Sequence, residues 1–399
     1  MSKHLRTWLF ALLATLLASN TLLAQGVITM TTSKAVGETI LLRVVANGNV
    51  SIEGALETGE MNEDGFKFYT IKSQTITIRG DVTELDCNEN QLSSLNVSKN
   101  TALTSLECSY NQLTSLDVSK NTALEELDCF SNQLTSLEVS KNTTLTKLWC
   151  SYNQLTSLDL SQNIALTKLD CSYDQLTSLD VSGCTALTEL NCINNQLTSL
   201  DVSKNTVLTE LECSYNQLTS LDLSQNTALT ELFCHSNQLT SLDVSKNTAL
   251  EVLDCLYNQL TNLDVSKNTT LTSLECSYNQ LTSLEVSKNT ALTRLNCDYN
   301  QLTSLDVSKN TALTTLSCND NKLTNLNMSG CANLMVINCS NNYINGKAMT
   351  KLVNSLPNRR GMYCGTIFLV DSSSKKSDKN RCSAADVTTA KRKNWKVRQ

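Results

Sequence analysis

Residues 103–123 read Leu103-Thr-Ser-Leu106-Glu-Cys108-Ser-Tyr-Asn111-Gln-Leu113-Thr-Ser-Leu116-Asp-Val118-Ser-Lys-Asn121-Thr-Ala123, and close copies of these 21 residues recur on both sides. The cysteine marks the period. It falls at 87, 108, 129, 150, 171, 192, 213, 234, 255, 276, 297, 318 and 339, thirteen positions at one spacing. So short a segment cannot bury a core alone, whereas stacked copies bury one between neighbours, so a fixed period means stacked coils. Within a copy, Leu106 and Cys108 alternate with polar residues, which is the periodicity of a strand. Successive strands then pair in parallel at about 4.8 Å.

The first half of each copy fits L-x-x-L-x-L-x-x-N/C-x-L, with Cys108 in the third leucine place. Asn90, Asn111, Asn132 and their successors stand at the strand end, where a short polar side chain bonds turn backbone. They predict an asparagine ladder, broken at Asp174, which when ionised accepts but cannot donate. The second half, Leu113 to Asn121, repeats the scheme. Eleven residues with this alternation leave no room for a helical apolar period, so an extended convex segment is expected.

These motifs resemble bacterial leucine-rich-repeat surface proteins of the internalin-like kind, in particular those whose 21-residue units carry a cysteine in the strand. The resemblance covers residues 82–345 and implies a leucine-rich-repeat solenoid and a role in cell-surface adhesion. The expected fold is mostly β, with a parallel concave sheet, extended convex segments, an N-terminal β cap and a C-terminal α/β cap. No wall-sorting signal accompanies the repeats, unlike in Gram-positive members.

The flanks complete the division. Lys3 and Arg6 precede an apolar run from Trp8 to Ala18, and Ala24 offers a cleavage point, so residues 1–24 read as a secretory signal peptide. No other stretch is apolar and long enough to span a bilayer. Residues 25–81 hold β-rich runs, Thr39–Val45 and Thr75–Ile78, that suit an N-terminal cap. Residues 82–345 are the thirteen coils. In 346–399, Met349, Leu352, Val353 and Leu356 have helical spacing ended by Pro357. A strand at Thr366–Val370, a helix near Ala384–Lys391 and a last strand at Trp395–Val397 complete a helix-and-strand cap.

Losing Lys3 and Arg6 takes the net charge from −6 to −8, which disfavours nucleic acid as a partner. The basic tail from Lys375 onward is either a solvated cap surface or a patch for polyanions. The ladder cysteines are expected as small buried residues. Cys184 and Cys331 replace the second asparagine, and Cys364 and Cys382 either pair as a disulfide or do not. With no C-x-x-C pair and only His4 and His235 as histidines, neither metal nor other cofactor is expected. The convex carboxylates, Asp117, Glu138, Asp159 and onward, should repel one another, offset by a lysine row that includes Lys120 and Lys141.

Candidate binding residues emerge where the copies differ. The column Asp86, Glu107, Asp128, Trp149, Asp170, Asn191, Glu212, Phe233, Asp254 faces outward on the concave strands, so its apolar members need a reason. Phe130 and Trp149, with Lys147, form one cluster; Phe233, His235 and Leu256 form another. Tyr152 and Tyr257 belong to a tyrosine row one step further along. Aromatics rimmed by charge suit a protein or glycan partner. No nucleophile elbow, phosphate loop or metal-binding helix signature occurs, and the carboxylates come in rows, so no catalytic residue is assigned. The expectation is an exported interaction or adhesion module, secreted or at the cell surface, or in the periplasm; the alternative is a self-assembling envelope protein.

Overall fold

The computed structural model describes residues 26–371 and 378–398. The expected signal peptide lies outside them, as does most of the polar loop before Asp378. The chain divides into two compact units, one ending at Gln175 and one starting at Leu176, a division that falls inside the run of coils.

In the first unit, strands β1 (Val27–Thr32), β2 (Thr39–Ala46), β3 (Ser51–Glu53), β4 (Ala55–Met61), β5 (Lys67–Ile71) and β6 (Thr75–Arg79) precede the coils. β1 pairs antiparallel with Leu92–Asn96, on the second half of the first coil. β2 pairs antiparallel with Val82–Asp86, the first concave strand. Both edges at this end are thereby occupied, which is what a stack with exposed edges requires. The first asparagine also turns to these strands: Asn90 donates to Leu41 O at 2.6 Å and accepts from Leu41 N at 3.1 Å.

Beyond it, three-residue strands Ser105–Glu107, Glu126–Asp128, Lys147–Trp149 and Lys168–Asp170 run parallel, with Leu106, Leu127, Leu148 and Leu169 in register. Each central leucine is buried and both its neighbours are half-exposed. Burying one such leucine contributes about 2 kcal/mol, and every coil repeats it. The expected asparagine ladder is present. Asn132 Nδ2 donates to Cys108 O at 3.0 Å in the coil before and Cys129 O at 3.1 Å in its own, while Oδ1 accepts from Leu113 N at 3.0 Å. A second ladder holds the other turn: Asn142 Nδ2 donates to Val118 O at 3.0 Å and Asn121 O at 2.8 Å.

The second unit continues the design. Glu189–Asn191 is followed in parallel by strands centred on Leu211, Leu232, Leu253, Leu274, Leu295, Leu316 and Ile337. The convex segments are extended, as expected; Ser304–Asp306 pairs in parallel with Asn325–Asn327, and Asp180 bridges Asp201. The convex carboxylates are used locally. Asp264 Oδ1 accepts from Ser266 N at 2.9 Å, and bonds to Ser266 hold its carboxyl below the usual range. Each carboxylate in this row therefore fixes its own turn.

Two helices, α1 (Gly346–Ser355) and α2 (Ala384–Arg392), alternate with strands Gly365–Phe368 and Trp395–Arg398, which extend the concave sheet from Ile337. Ser383 and Asp386 cap α2 reciprocally. Trp395 closes the end, buried, with Nε1 donating to Pro357 O at 2.9 Å. No disulfide joins Cys364 to Cys382; both carry free thiols, Cys364 exposed and Cys382 half-buried. Cys331 fits the second-ladder site by donating its thiol to Val307 O at 3.0 Å. Gly330 precedes it at φ +105°, where a Cβ would meet Ser308 O at 2.8 Å.

Candidate functional site

The scaffold sets what can vary. A concave strand offers three side chains, and the central one is committed to the core, so only its two neighbours and the turn beyond the cysteine reach solvent. The cysteine is committed too. Cys108 Sγ donates to Asp128 O at 3.4 Å in the next coil, and Cys276 Sγ to Asn296 O at 3.5 Å. Burial pushes these thiols up, to about 12 at Cys213, so they remain protonated packing residues.

In the first unit, Phe130 and Trp149 line an open depression of about 280 Å³ together with Glu107, Glu126 and Asp128. Lys147, on the same strand as Trp149, places Nζ 2.6 Å from Glu126 Oε1 and 5.9 Å from the centre of the indole. Asp128 Oδ1 accepts from Ser109 Oγ at 2.5 Å and from Phe130 N at 3.0 Å, which fixes both the carboxylate and the start of the Phe130 turn. Arg43, from β2, reaches Glu107 at 3.2 Å and Glu84 at 3.7 Å. Burial, followed by the charge of Asp86, pushes the Glu107 carboxyl up. Burial does the same at Asp86.

Tyr152 joins this cluster. Its ring lies 5.1 Å from Phe130 and stacks on Tyr173 at 4.2 Å, while Phe130 meets Tyr110 edge-on at 4.9 Å. Four rings thus run unbroken across consecutive coils. The tyrosine position is left-handed in every coil: φ is 53° at Tyr110, 55° at Tyr152 and 53° at Tyr173. Holding a non-glycine residue there costs about 1 kcal/mol, which ring stacking of about 0.5–1.5 kcal/mol offsets.

In the second unit the expected cluster is looser. Phe233 and His235 share a strand and its turn, both half-buried, but the His235 ring turns to Tyr215, edge-on at 4.9 Å. His235 Nδ1 lies 3.2 Å from Ser236 Oγ. Leu256 is half-buried and its N–H holds Asp254 Oδ1 at 3.1 Å. Burial pushes the Asp254 carboxyl up, with the Leu256 bond and His235 acting against it. Tyr257 belongs to a separate stack, 4.1 Å from Tyr278, which lies 4.2 Å from Tyr299. Reading the sequence missed Glu126 as part of the Trp149 depression; the signal was available in the column before the leucine, where Glu126 precedes Lys147 and Lys168.

Among the described residues no group of three or more His, Cys, Asp or Glu is arranged to hold a metal ion, and no helix is long and apolar enough to cross a membrane.

Residues 101–142 match the family model of leucine-rich repeats, in two copies. The functional domain of InlJ from Listeria monocytogenes, which includes a cysteine ladder, is 36% identical over 75% of this chain and 77% of its own, with a TM-score of 0.60. A leucine-rich-repeat protein of Leptospira interrogans is 25% identical over 65% of this chain and 72% of its own, at a TM-score of 0.61. The internalin InlF of Listeria monocytogenes shares the fold, with 24% identity over 66% of this chain and 82% of its own, and a TM-score of 0.57. No curated protein sequence matches the chain. The chain belongs to the internalin-like leucine-rich-repeat proteins. A solenoid of this kind is a scaffold for protein interaction.

Proposed function

We propose that this protein is an exported interaction or adhesion module that holds a protein or glycan partner on its concave face and catalyses no reaction. The observation that carries this reading is the Trp149 depression. Each departing from a column that is mostly polar, the Trp149 indole and the Phe130 phenyl ring stand half-exposed beside three carboxylates. Packing does not require them there, since the core is already filled by Leu127, Leu148 and their cysteines. Rigid aromatics rimmed by charge are the usual anchors of binding surfaces. Phe130, Lys147, Trp149 and Tyr152 are assigned to the first anchor; Phe233, His235 and Leu256 are assigned to a looser second one, with Tyr257 on the stack beside it. Secretion or display at the cell surface, with the four-part division at 1–24, 25–81, 82–345 and 346–399, belongs to the same reading, as does the exclusion of nucleic acid. A self-assembling envelope protein would be indifferent to these side chains.

The test is binding of the purified chain to host cells, matrix proteins and a glycan panel, beside the double variant Trp149→Ser, Phe233→Ser with an unchanged circular dichroism spectrum. Saturable binding that the variant loses is the expected result. Equal binding by both proteins, or binding by neither, sends the function to the caps or to self-assembly.

A further inference from the structure

We infer that the depression beside Trp149 receives a lysine or arginine side chain from a positively charged segment of a partner protein. This deepens the concave-face reading above and rests on it. The chain itself displays the mode of capture: the Lys147 ammonium is held between Glu126, at 2.6 Å, and the indole of Trp149, at 5.9 Å. A cation over an aromatic face beside a carboxylate gains from the ring quadrupole and from charge together.

The surroundings are short of positive charge. On the concave strands of the first unit the carboxylates are Glu84, Asp86, Glu107, Glu126, Asp128 and Asp170, six against Lys147 and Lys168 on those strands and Arg43 reaching over from β2, leaving −3. Asp86, Glu107 and Asp128 stand on successive strands about 4.8 Å apart. Asp86 pairs in register with Glu107, and Glu107 with Asp128. An incoming cation relieves repulsion already present in the free protein, which is a differential gain on binding. Burial, and after it the charge of Asp86, pushes the Glu107 carboxyl up. Asp128 is held by Ser109 and Phe130 N–H before any partner arrives, so little ordering remains to be done there. An anionic glycan meets the same charge as repulsion, and a neutral one gains nothing from it.

The test uses the full chain and a fluorescently labelled octa-arginine peptide, with an octa-glutamine peptide as the uncharged counterpart. Affinity is measured by anisotropy at two salt concentrations, for the parent chain, for Trp149→Ser, for Glu107→Gln with Glu126→Gln, and for Asp243→Asn with Asp264→Asn. The last pair removes the same charge from the convex face. The concave pair and Trp149→Ser should each weaken arginine binding at least tenfold and the convex pair less than twofold. The glutamine peptide should not bind, and added salt should weaken the parent. Equal losses from the concave and convex pairs, or no loss from Trp149→Ser, overturn the inference as non-specific attraction. If the peptide fails to bind while a neutral glycan or protein still binds through Trp149, the cation inference falls and the concave reading stands. If no ligand depends on Trp149, both fall.

Discussion

Asp174 occupies an asparagine place in the first ladder, and replacing it by asparagine should stabilise the protein in a pH-dependent way. Its Oδ1 does what the amide oxygen does elsewhere, accepting from Leu155 N at 2.8 Å. Its Oδ2 stands where an amide nitrogen would donate to strand-end carbonyls, and it is buried without a hydrogen-bond partner. The side chain is 8% exposed, and burial pushes its pKa up to about 7. Two N–H bonds hold the carboxyl down and the charge of Asp170 pushes it further up. The folded state therefore binds a proton that the unfolded chain, near 3.8, has already released. Below about pH 4 both states are protonated and nothing is lost. As pH rises from about 4 to about 7 the protein loses stability, and above that the loss is constant.

At about 1.4 kcal/mol per pKa unit, with partial solvent screening, the loss is about 2 to 4 kcal/mol. Asp174→Asn removes it and restores two donors. At pH 8 the variant should be more stable by about 2 to 4 kcal/mol, and at pH 4.5 by about 1 kcal/mol or less. Long repeat arrays need not unfold in one step, so the measurement is amide hydrogen exchange at Leu155 and neighbouring coils between pH 4.5 and 8.5, corrected for intrinsic rates, beside urea unfolding. A gain that does not change with pH, or a destabilised variant, would refute the account of Asp174 as a charged break in an amide ladder.

Asn237→Ala leaves the carbonyls of Cys213, Cys234 and His235 and the N–H of Leu218 without their side-chain partner, and should destabilise by about 2 to 4 kcal/mol in urea unfolding. Cys276→Leu restores the leucine of the general pattern but overfills a site with no exposed surface, so a loss of about 1 to 3 kcal/mol is expected by the same measurement. Thiol titration of the native protein should register Cys364 quickly and Cys382 slowly, with the buried ladder cysteines reacting only in denaturant. Asn380→Ala should raise hydrogen exchange across α1 and α2 while the central coils keep their protection, because the Asn380 side chain ties Ile344 N to Cys339 O and Leu369 O.

The coils were legible because each one solves the same packing problem. Leu106, Cys108 and Asn111 recur since the geometry of one coil on the next leaves a leucine, a small thiol and an amide little freedom. The parts that could not be read depend on partners outside the period. Asn380 continues the first ladder, yet it lies 38 residues after Asn342, beyond a helix and a strand, so no spacing announces it. Asn90 follows the pattern but bonds a capping strand rather than a coil, and only the pairing of β2 reveals that. The Trp149 depression was half legible. Trp149 and Phe130 stand out as departures from their columns, whereas Glu126 looks ordinary until Lys147 is seen bridging it to the indole. The repeat therefore acts as its own control: where the backbone dictates a residue the copies agree, and where they disagree some other requirement has entered. At Asp174 the disagreement falls on a ladder position, so the expected consequence is lost stability, which Asp174→Asn should restore. At Trp149 it falls on a surface position the core does not use, and the binding reading proposed above is what the Trp149→Ser variant tests.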